Sequence, residues 1–126
     1  MGYHRYGQLS QHFMRHEFAC KCGCGFDTVD AELIYCLEFI RDGLPDSIIR
    51  INSGCRCKEY NAKIGGSPKS QHVLGKAADF VVKNYHADEV ANFIELYWPD
   101  RYGVGRYHGR THLDVRSSKS RWDLRG

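Results

Sequence analysis

The chain has no long apolar run, no strong excess of one charge, no internal repeat and no low-complexity tract. Each absence removes a class of function. The longest apolar stretches, such as residues 80–82, fall far short of a membrane span, so neither a transmembrane helix nor membrane insertion is expected. Lys+Arg 18 against Asp+Glu 15 leaves a net charge of +3, too small a bias to propose nucleic acid as a partner. Residues 1–10 are polar and aromatic and do not read as a secretory signal. Proline is scarce, and Pro45, Pro68 and Pro99 all fall between segments rather than inside them. What remains is 42% apolar and 26% charged, the mixture of an ordinary globule. A chain of 126 residues suits one domain, 1–126, that buries roughly two-thirds of its unfolded surface. Two counts stand out: six cysteines and seven histidines. Metal, disulfide and nucleophile chemistry all have to be weighed.

Periodicity orders the rest of the chain. Residues 1–27 show no lasting pattern and end in the loop Cys20-Lys21-Cys22-Gly23-Cys24-Gly25. Leu33, Ile34, Leu37 and Ile40 then recur at helical spacing, with Thr28 or Asp30 to cap the helix and Gly43 to stop it. Residues 48–52 alternate as a short strand, and residues 77–82 are apolar enough for the centre of a sheet. Residues 87–97 form a second helix, with Val90, Phe93, Ile94 and Tyr97 on one face. Residues 102–107 and 111–115 pair around a turn at Gly109. The order predicts an α+β fold, a small, mainly antiparallel sheet with helices packed on it.

The densest chemistry lies between Ser70 and Asp79. His72 ends a loop, Asp79 sits in a strand, and Gly75, Ala77 and Ala78 between them allow close packing. Downstream, His112 and Asp114 share one face of a strand by its period of two. A set of His72, Asp79 and His112 suits zinc, which takes imidazole nitrogen and carboxylate oxygen, and leaves the fourth position open for water. The bland alternative is a surface His72, a turn-forming Asp79 and a surface His112, since two-ligand spacings are common by chance.

The run Ser70-x-His72-x-x-Gly75-x-Ala77-x-Asp79, followed by His112-x-Asp114, resembles the zinc D-alanyl-D-alanine carboxypeptidase family. That family includes phage endolysins that cut L-alanyl-D-glutamate bonds, and it shares a fold with the hedgehog signalling domain. Ser53-Gly54-Cys55-Arg56-Cys57 with Tyr60-Asn61, the run from Gly65 to His72, and Gly103-Val104-Gly105-Arg106-Tyr107 are similar to further family elements. Trp122 falls where related murein peptidases carry an Arg-x-Trp tail. The resemblance implies zinc ligands His72, Asp79 and His112, and it implies Arg56 as a substrate contact beside the scissile carbonyl. A guanidinium suits that place, being always charged and presenting a fork of donors to developing negative charge. Ser70 either hydrogen-bonds substrate or caps the turn before His72. Tyr107 is expected at the cleft.

One family position departs. Relatives carry a Glu or Asp three residues before the last histidine, or a His two before it, as general base; here Gly109 and Arg110 stand there. Asp114 is taken as the base, with His108 as the other candidate, although Asp114 equally suits a carboxylate that orients a ligand histidine. His4, His12, His16 and His86 read as surface or capping residues.

Cys36 reads as core. For Cys20, Cys22, Cys24, Cys55 and Cys57 three states are open: disulfides joining the N-terminal loop to the Arg56 loop, free thiols, and a structural zinc. Against the last stands the C-x-C spacing, tighter than the usual C-x₂₋₄-C.

The expected protein is thus a zinc metallopeptidase, a monomer acting on peptidoglycan stem peptides as a phage endolysin-type endopeptidase or a D,D-carboxypeptidase. It is made in the cytoplasm and reaches the bacterial cell wall by phage-type release or as part of a virion. The rival reading is a non-catalytic zinc-containing binding module of the hedgehog-like fold, and a third is a cytosolic dipeptidase.

Overall fold

Asp30 opens the first long helix by accepting a hydrogen bond from the Glu32 N–H, so α1 runs Ala31–Gly43. It buries Leu33, Ile34, Cys36, Leu37 and Ile40 along one stripe. Gly43 closes it where a side chain would strike the Phe93 ring, so the glycine permits the approach of the second long helix. That helix, α3 (Ala87–Tyr97), starts at His86, whose ring accepts from the Asp88 N–H while Glu89 returns a bond to the His86 backbone. His86 is therefore a cap, as its position suggested. The short α2 (Lys58–Lys63) lies between them in sequence.

This is a computed structural model, and it describes residues 7–125. The readings of His4 and of residues 1–6 lie outside that range. Five strands form one sheet: β1 (Ile49–Ser53), β2 (Ala77–Val82), β3 (Gly103–Tyr107), β4 (Arg110–Asp114) and β5 (Ser120–Asp123). Their order across the sheet is β1-β2-β4-β3-β5, antiparallel throughout except for the parallel pair β3–β5. The α+β, mainly antiparallel architecture is the expected one. Among the described residues no helix is long and apolar enough to cross a membrane.

Strand alternation separates the sheet's two faces. Ala78, Phe80 and Val82 of β2, Val104 of β3 and Leu113 of β4 join the residues of α1 and α3 in one core. The intervening residues Asp79, His112 and Asp114 point the other way and carry the polar chemistry. Register aligns them. Ser53, Asp79, His112, Gly105 and Trp122 are successive partners in a row across all five strands, and Ala77, Asp114, Gly103 and Ser120 form the next row across four.

The two β3 glycines have a steric cause. A Cβ on Gly103 would meet the Asp114 carboxylate, and one on Gly105 would meet the Trp122 indole. Bare backbone at these two points lets Trp122 reach over β3 to within 4.9 Å of the His112 ring, centroid to centroid.

The sequence shows no lasting pattern in the N-terminal segment and predicts surface or capping roles for its histidines. His16 is exposed. His12 instead pairs with Glu38 of α1 at 2.6 Å, and Glu38 also accepts from Ser10 and from the His12 N–H. With Phe13 and Phe18 buried in the core, this fastens the segment to the helix layer.

Candidate metal centre

His72, Asp79 and His112 are buried and converge, their ligating atoms all within 4.8 Å of one another. Asp79 Oδ1 lies 3.4 Å from His72 Nε2 and 2.8 Å from His112 Nδ1. A tetrahedral ion with ligands at 2.0–2.1 Å requires ligand separations of about 3.4 Å, so small adjustments would seat one.

Each imidazole is aimed by an acceptor behind it. His72 stands in a 3₁₀ turn (Gln71–Leu74) opened by Ser70, whose Oγ accepts from the His72 N–H. Its Nδ1–H donates to the Gly54 carbonyl at 2.6 Å, which leaves Nε2 facing Asp79. His112 does the reverse, with Nε2 against Asp114 Oδ2 at 2.8 Å and Nδ1 toward Asp79. Asp114 is in turn gripped by Arg116, whose Nε donates to Oδ1 and whose Nη2 donates to Oδ2, both at 2.7 Å. A carboxylate behind a ligand histidine fixes its tautomer and raises its basicity.

The charges are balanced tightly. Burial opposes ionisation of Asp79, but hydrogen bonds from His112 and His72 outweigh it and hold the carboxyl well below the usual range. Asp114 is lowered likewise: burial opposes, and Arg116 and His112 prevail. His112 is pushed down by burial yet raised on balance, because a carboxylate faces each ring nitrogen. A divalent cation held by Asp79 and His112 would stand in for the proton on Nδ1. Two imidazoles and one carboxylate, both rings backed by acceptors, fit zinc.

These groups floor a cleft of about 370 Å³. Arg56, Lys69, Arg110 and Arg116 line it, with Ser70, Tyr107 and Trp122, and Asp79 is its sole carboxylate among the described residues. Arg56 spreads its donors over Ser53 Oγ, Asn61 Oδ1 and Asp79 Oδ2, at 3.2, 3.1 and 3.4 Å. Tyr107 Oη accepts from Trp122 Nε1 at 2.9 Å, and the Arg110 guanidinium lies 4.0 Å above its ring.

The structure thus brings His72, Asp79, His112, Arg56, Ser70 and Tyr107 to one cleft. It does not bring Asp114 or His108 there. Asp114 is fully buried beneath His112, and His108 is exposed on the β3–β4 turn. Sequence reasoning missed Arg116, although the alternation His112, Asp114 extends to it in steps of two. It also passed over the work of Asn61, a buried side chain that accepts from Arg56 and donates to the Ser67 carbonyl.

A histidine and an aspartate on a small sheet, joined by a histidine from a 3₁₀ turn under an open polar cleft, define a metallohydrolase-type site. Residues 11–114 match the family described as peptidase M15. The chain belongs to that family, whose members are zinc peptidases. No curated protein matches it in a sequence search.

The cysteines divide cleanly, and none of the six is in a disulfide. Cys36 is in the core, as expected, and burial pushes its thiol up to about 11. Cys55 is buried too, its thiol donating to the Phe26 carbonyl. Cys20, Cys22, Cys24 and Cys57 gather in a separate group.

Proposed function

We propose that this chain hydrolyses peptide bonds in the stem peptides of peptidoglycan, using zinc held by His72, Asp79 and His112. The observation that carries the substrate class is the cleft's charge: four cationic side chains against one carboxylate, and that carboxylate is committed to the metal. Stem peptides are short and carry free carboxylates, so a basic cleft matches them. Tyr107 and Trp122 supply flat apolar walls for short side chains.

The metal, when bound, polarises the scissile carbonyl and acidifies a water. The protein's own groups bind and position around it. Arg56 borders the ligand triad and presents its fork where negative charge develops on the carbonyl oxygen. Ser70 orders the turn that carries His72, and its place on the cleft wall suits it to a substrate hydrogen bond. In this reading Asp114 is a positioning residue, holding a proton on His112 Nε2 so that Nδ1 stays free to ligate. It replaces the general-base role, because a buried carboxylate engaged by Arg116 and His112 does not face the cleft.

The enzyme acts as a monomer at the bacterial cell wall, either released in the manner of a phage endolysin or carried on a virion. Cleavage within the stem, as an endopeptidase, is favoured over removal of a terminal D-alanine.

That no second carboxylate lines the cleft among the described residues favours one rival, a zinc-containing binding module without turnover. Digestion of purified peptidoglycan with and without chelator, followed by mass spectrometry of the new termini, separates the two. Chelator-sensitive new ends at a stem-peptide bond are expected, and their absence would sink the peptidase reading. Hydrolysis of free D-alanyl-D-alanine with intact walls untouched would point to a dipeptidase instead.

A further inference from the structure

We propose that Cys20, Cys22, Cys24 and Cys57 hold a second zinc ion, a structural one, apart from the His72–Asp79–His112 centre. Their sulfurs all lie within 4.8 Å of one another. Cys20 Sγ is 3.5 Å from Cys22 Sγ and 3.8 Å from Cys57 Sγ, and Cys22 to Cys57 is 3.7 Å. Zinc–thiolate bonds of 2.3 Å in a tetrahedron place the sulfurs about 3.8 Å apart. Three sulfurs at nearly equal separation are the edges of such a figure. A disulfide instead pairs two sulfurs at about 2.05 Å and leaves the others out.

Packing does not explain the cluster. A cysteine without a partner is usually buried as a small apolar residue, which describes Cys36 and Cys55. Cys22 and Cys24 are exposed and Cys57 is half-buried, yet their side chains turn toward one another. Two backbone groups point at the sulfurs as well: the Cys57 N–H donates to Cys20 Sγ and the Tyr60 N–H to Cys57 Sγ, both at 3.4 Å. Such donors favour the ionised thiolate that a metal requires.

The tight C-x-C spacing is resolved by the glycines. Gly23 and Gly25 adopt left-handed backbone, φ 83° and 92°, with open space where a side chain would stand. Gly23 also closes a turn onto the Cys20 carbonyl. The chain reverses between ligands, so alternating cysteines return to one point instead of pointing apart as in a strand. Four thiolates around a divalent ion leave two net negative charges. Lys21 and Lys58 flank ligands in the sequence.

All four positions are filled by protein, which is the closed arrangement of a structural site rather than a catalytic one. The ion would tie the 20–24 loop to Cys57, the residue next to Arg56. Cys55, two residues before Cys57, is already tied to the N-terminal segment by its N–H to the Phe18 carbonyl, and the Cys20 N–H closes the 20–26 loop on the Phe26 carbonyl.

The test is metal and thiol stoichiometry on the full chain, purified without reductant. Mass spectrometry of the metal content should find two zinc ions per wild-type chain and one in the double variant His72→Ala/His112→Ala, whose remaining ion can only be the thiolate-bound one. Titrating that variant's thiols with an organomercurial should release its zinc, and the denatured, unreduced wild type should titrate all six cysteines. Cys22→Ser/Cys24→Ser should lose one of the two ions, and the histidine variant decides the matter if that protein does not fold. A histidine variant free of zinc, iron in its place, or fewer than six titratable thiols would overturn the assignment. None of these outcomes bears on wall digestion, so the peptidase reading stands or falls separately.

Discussion

The His–Asp–His cleft and the cysteine cluster solve the problem of gathering metal-binding groups in opposite ways. Two of the cleft's three ligands stand on strands, and the third, His72, on a 3₁₀ turn. Asp79 and His112 are register partners on β2 and β4, and the rings of His72 and His112 are each held from behind by an acceptor. The cluster is built on loops and turns, with left-handed glycines in place of a sheet and backbone N–H groups in place of carboxylates. Three protein ligands facing a cleft suit chemistry, and four facing one another suit fastening. Rigid pleats serve where orientation within half an ångström matters. Loops suffice where the ion itself supplies the order.

Removing a cleft ligand is the sharpest way to separate the two regions. His112→Ala should abolish stem-peptide hydrolysis, and should also lower the melting temperature because it strands the buried Asp79 and Asp114 carboxylates. Cys57→Ser should lower the melting temperature while keeping part of the hydrolysis. A digestion assay alongside calorimetry reads both, and equal loss of hydrolysis in the two variants would break the distinction.

Arg56 lies between the regions, inside the cleft yet next to a thiolate ligand. Arg56→Lys keeps the charge and loses the fork, so kcat should fall by about 10²-fold with zinc content unchanged. Zinc loss in this variant would place Arg56 among the supports of the metal rather than among the contacts to substrate.

Asp114→Asn probes the support beneath the cleft. A positioning carboxylate predicts about 10–100-fold weaker binding of the cleft zinc, measured by competition with a chelator, with activity restored by excess zinc. A general base predicts lost turnover at unchanged zinc affinity. The thiolate site should be indifferent to the change.

The smallest effect belongs to a fastening that uses protons and no metal. Burial pushes the Glu38 carboxyl up, but Ser10 and His12 outweigh it and leave it below its ordinary value of 4.5. The unfolded chain therefore binds the proton more readily, and stability rises with pH through this range. Glu38 contributes fully above about pH 4.5, and the contribution drains away as pH falls through the lowered folded value. Glu38→Gln should flatten that acid limb in denaturation experiments and leave neutral-pH activity unchanged. An unaltered limb would show that the Ser10–His12–Glu38 group does not hold the N-terminal segment.

Legibility in the sequence followed the strength of periodic burial. Residues 77–82 and 87–97 were bounded as β2 and α3 stand, because long apolar patterns leave one solution. α2 was invisible: six residues bury only Asn61, too little for a stripe. β5 was missed for a related reason. Its Ser-Arg-Trp-Asp is half-exposed, and it exists as a strand through its pairing with β3 and through Arg121, which donates to the carbonyls of Trp98, Arg101 and Tyr102. The ligand residues were legible as types at a spacing, and Asp114 as a neighbour of His112. Which ring nitrogen faces which partner was not, since that depends on cross-strand register and on a backbone carbonyl far away in sequence. The C-x-C spacing argued against a thiolate site only while the handedness of Gly23 and Gly25 was unseen.

Gly54 offers its carbonyl to His72, and its missing side chain lets the Phe18 backbone lie 2.6 Å from where a Cβ would stand. One residue thus aims a ligand ring and admits the segment that covers it, without a functional group of its own. In a mutational scan scored by turnover, every substitution at Gly54 would look like the loss of a catalytic side chain. The atom responsible is a peptide oxygen, and no genetic code change can delete it; an ester-for-amide replacement at that linkage would weaken it, and would also remove the Cys55 N–H that donates to the Phe18 carbonyl.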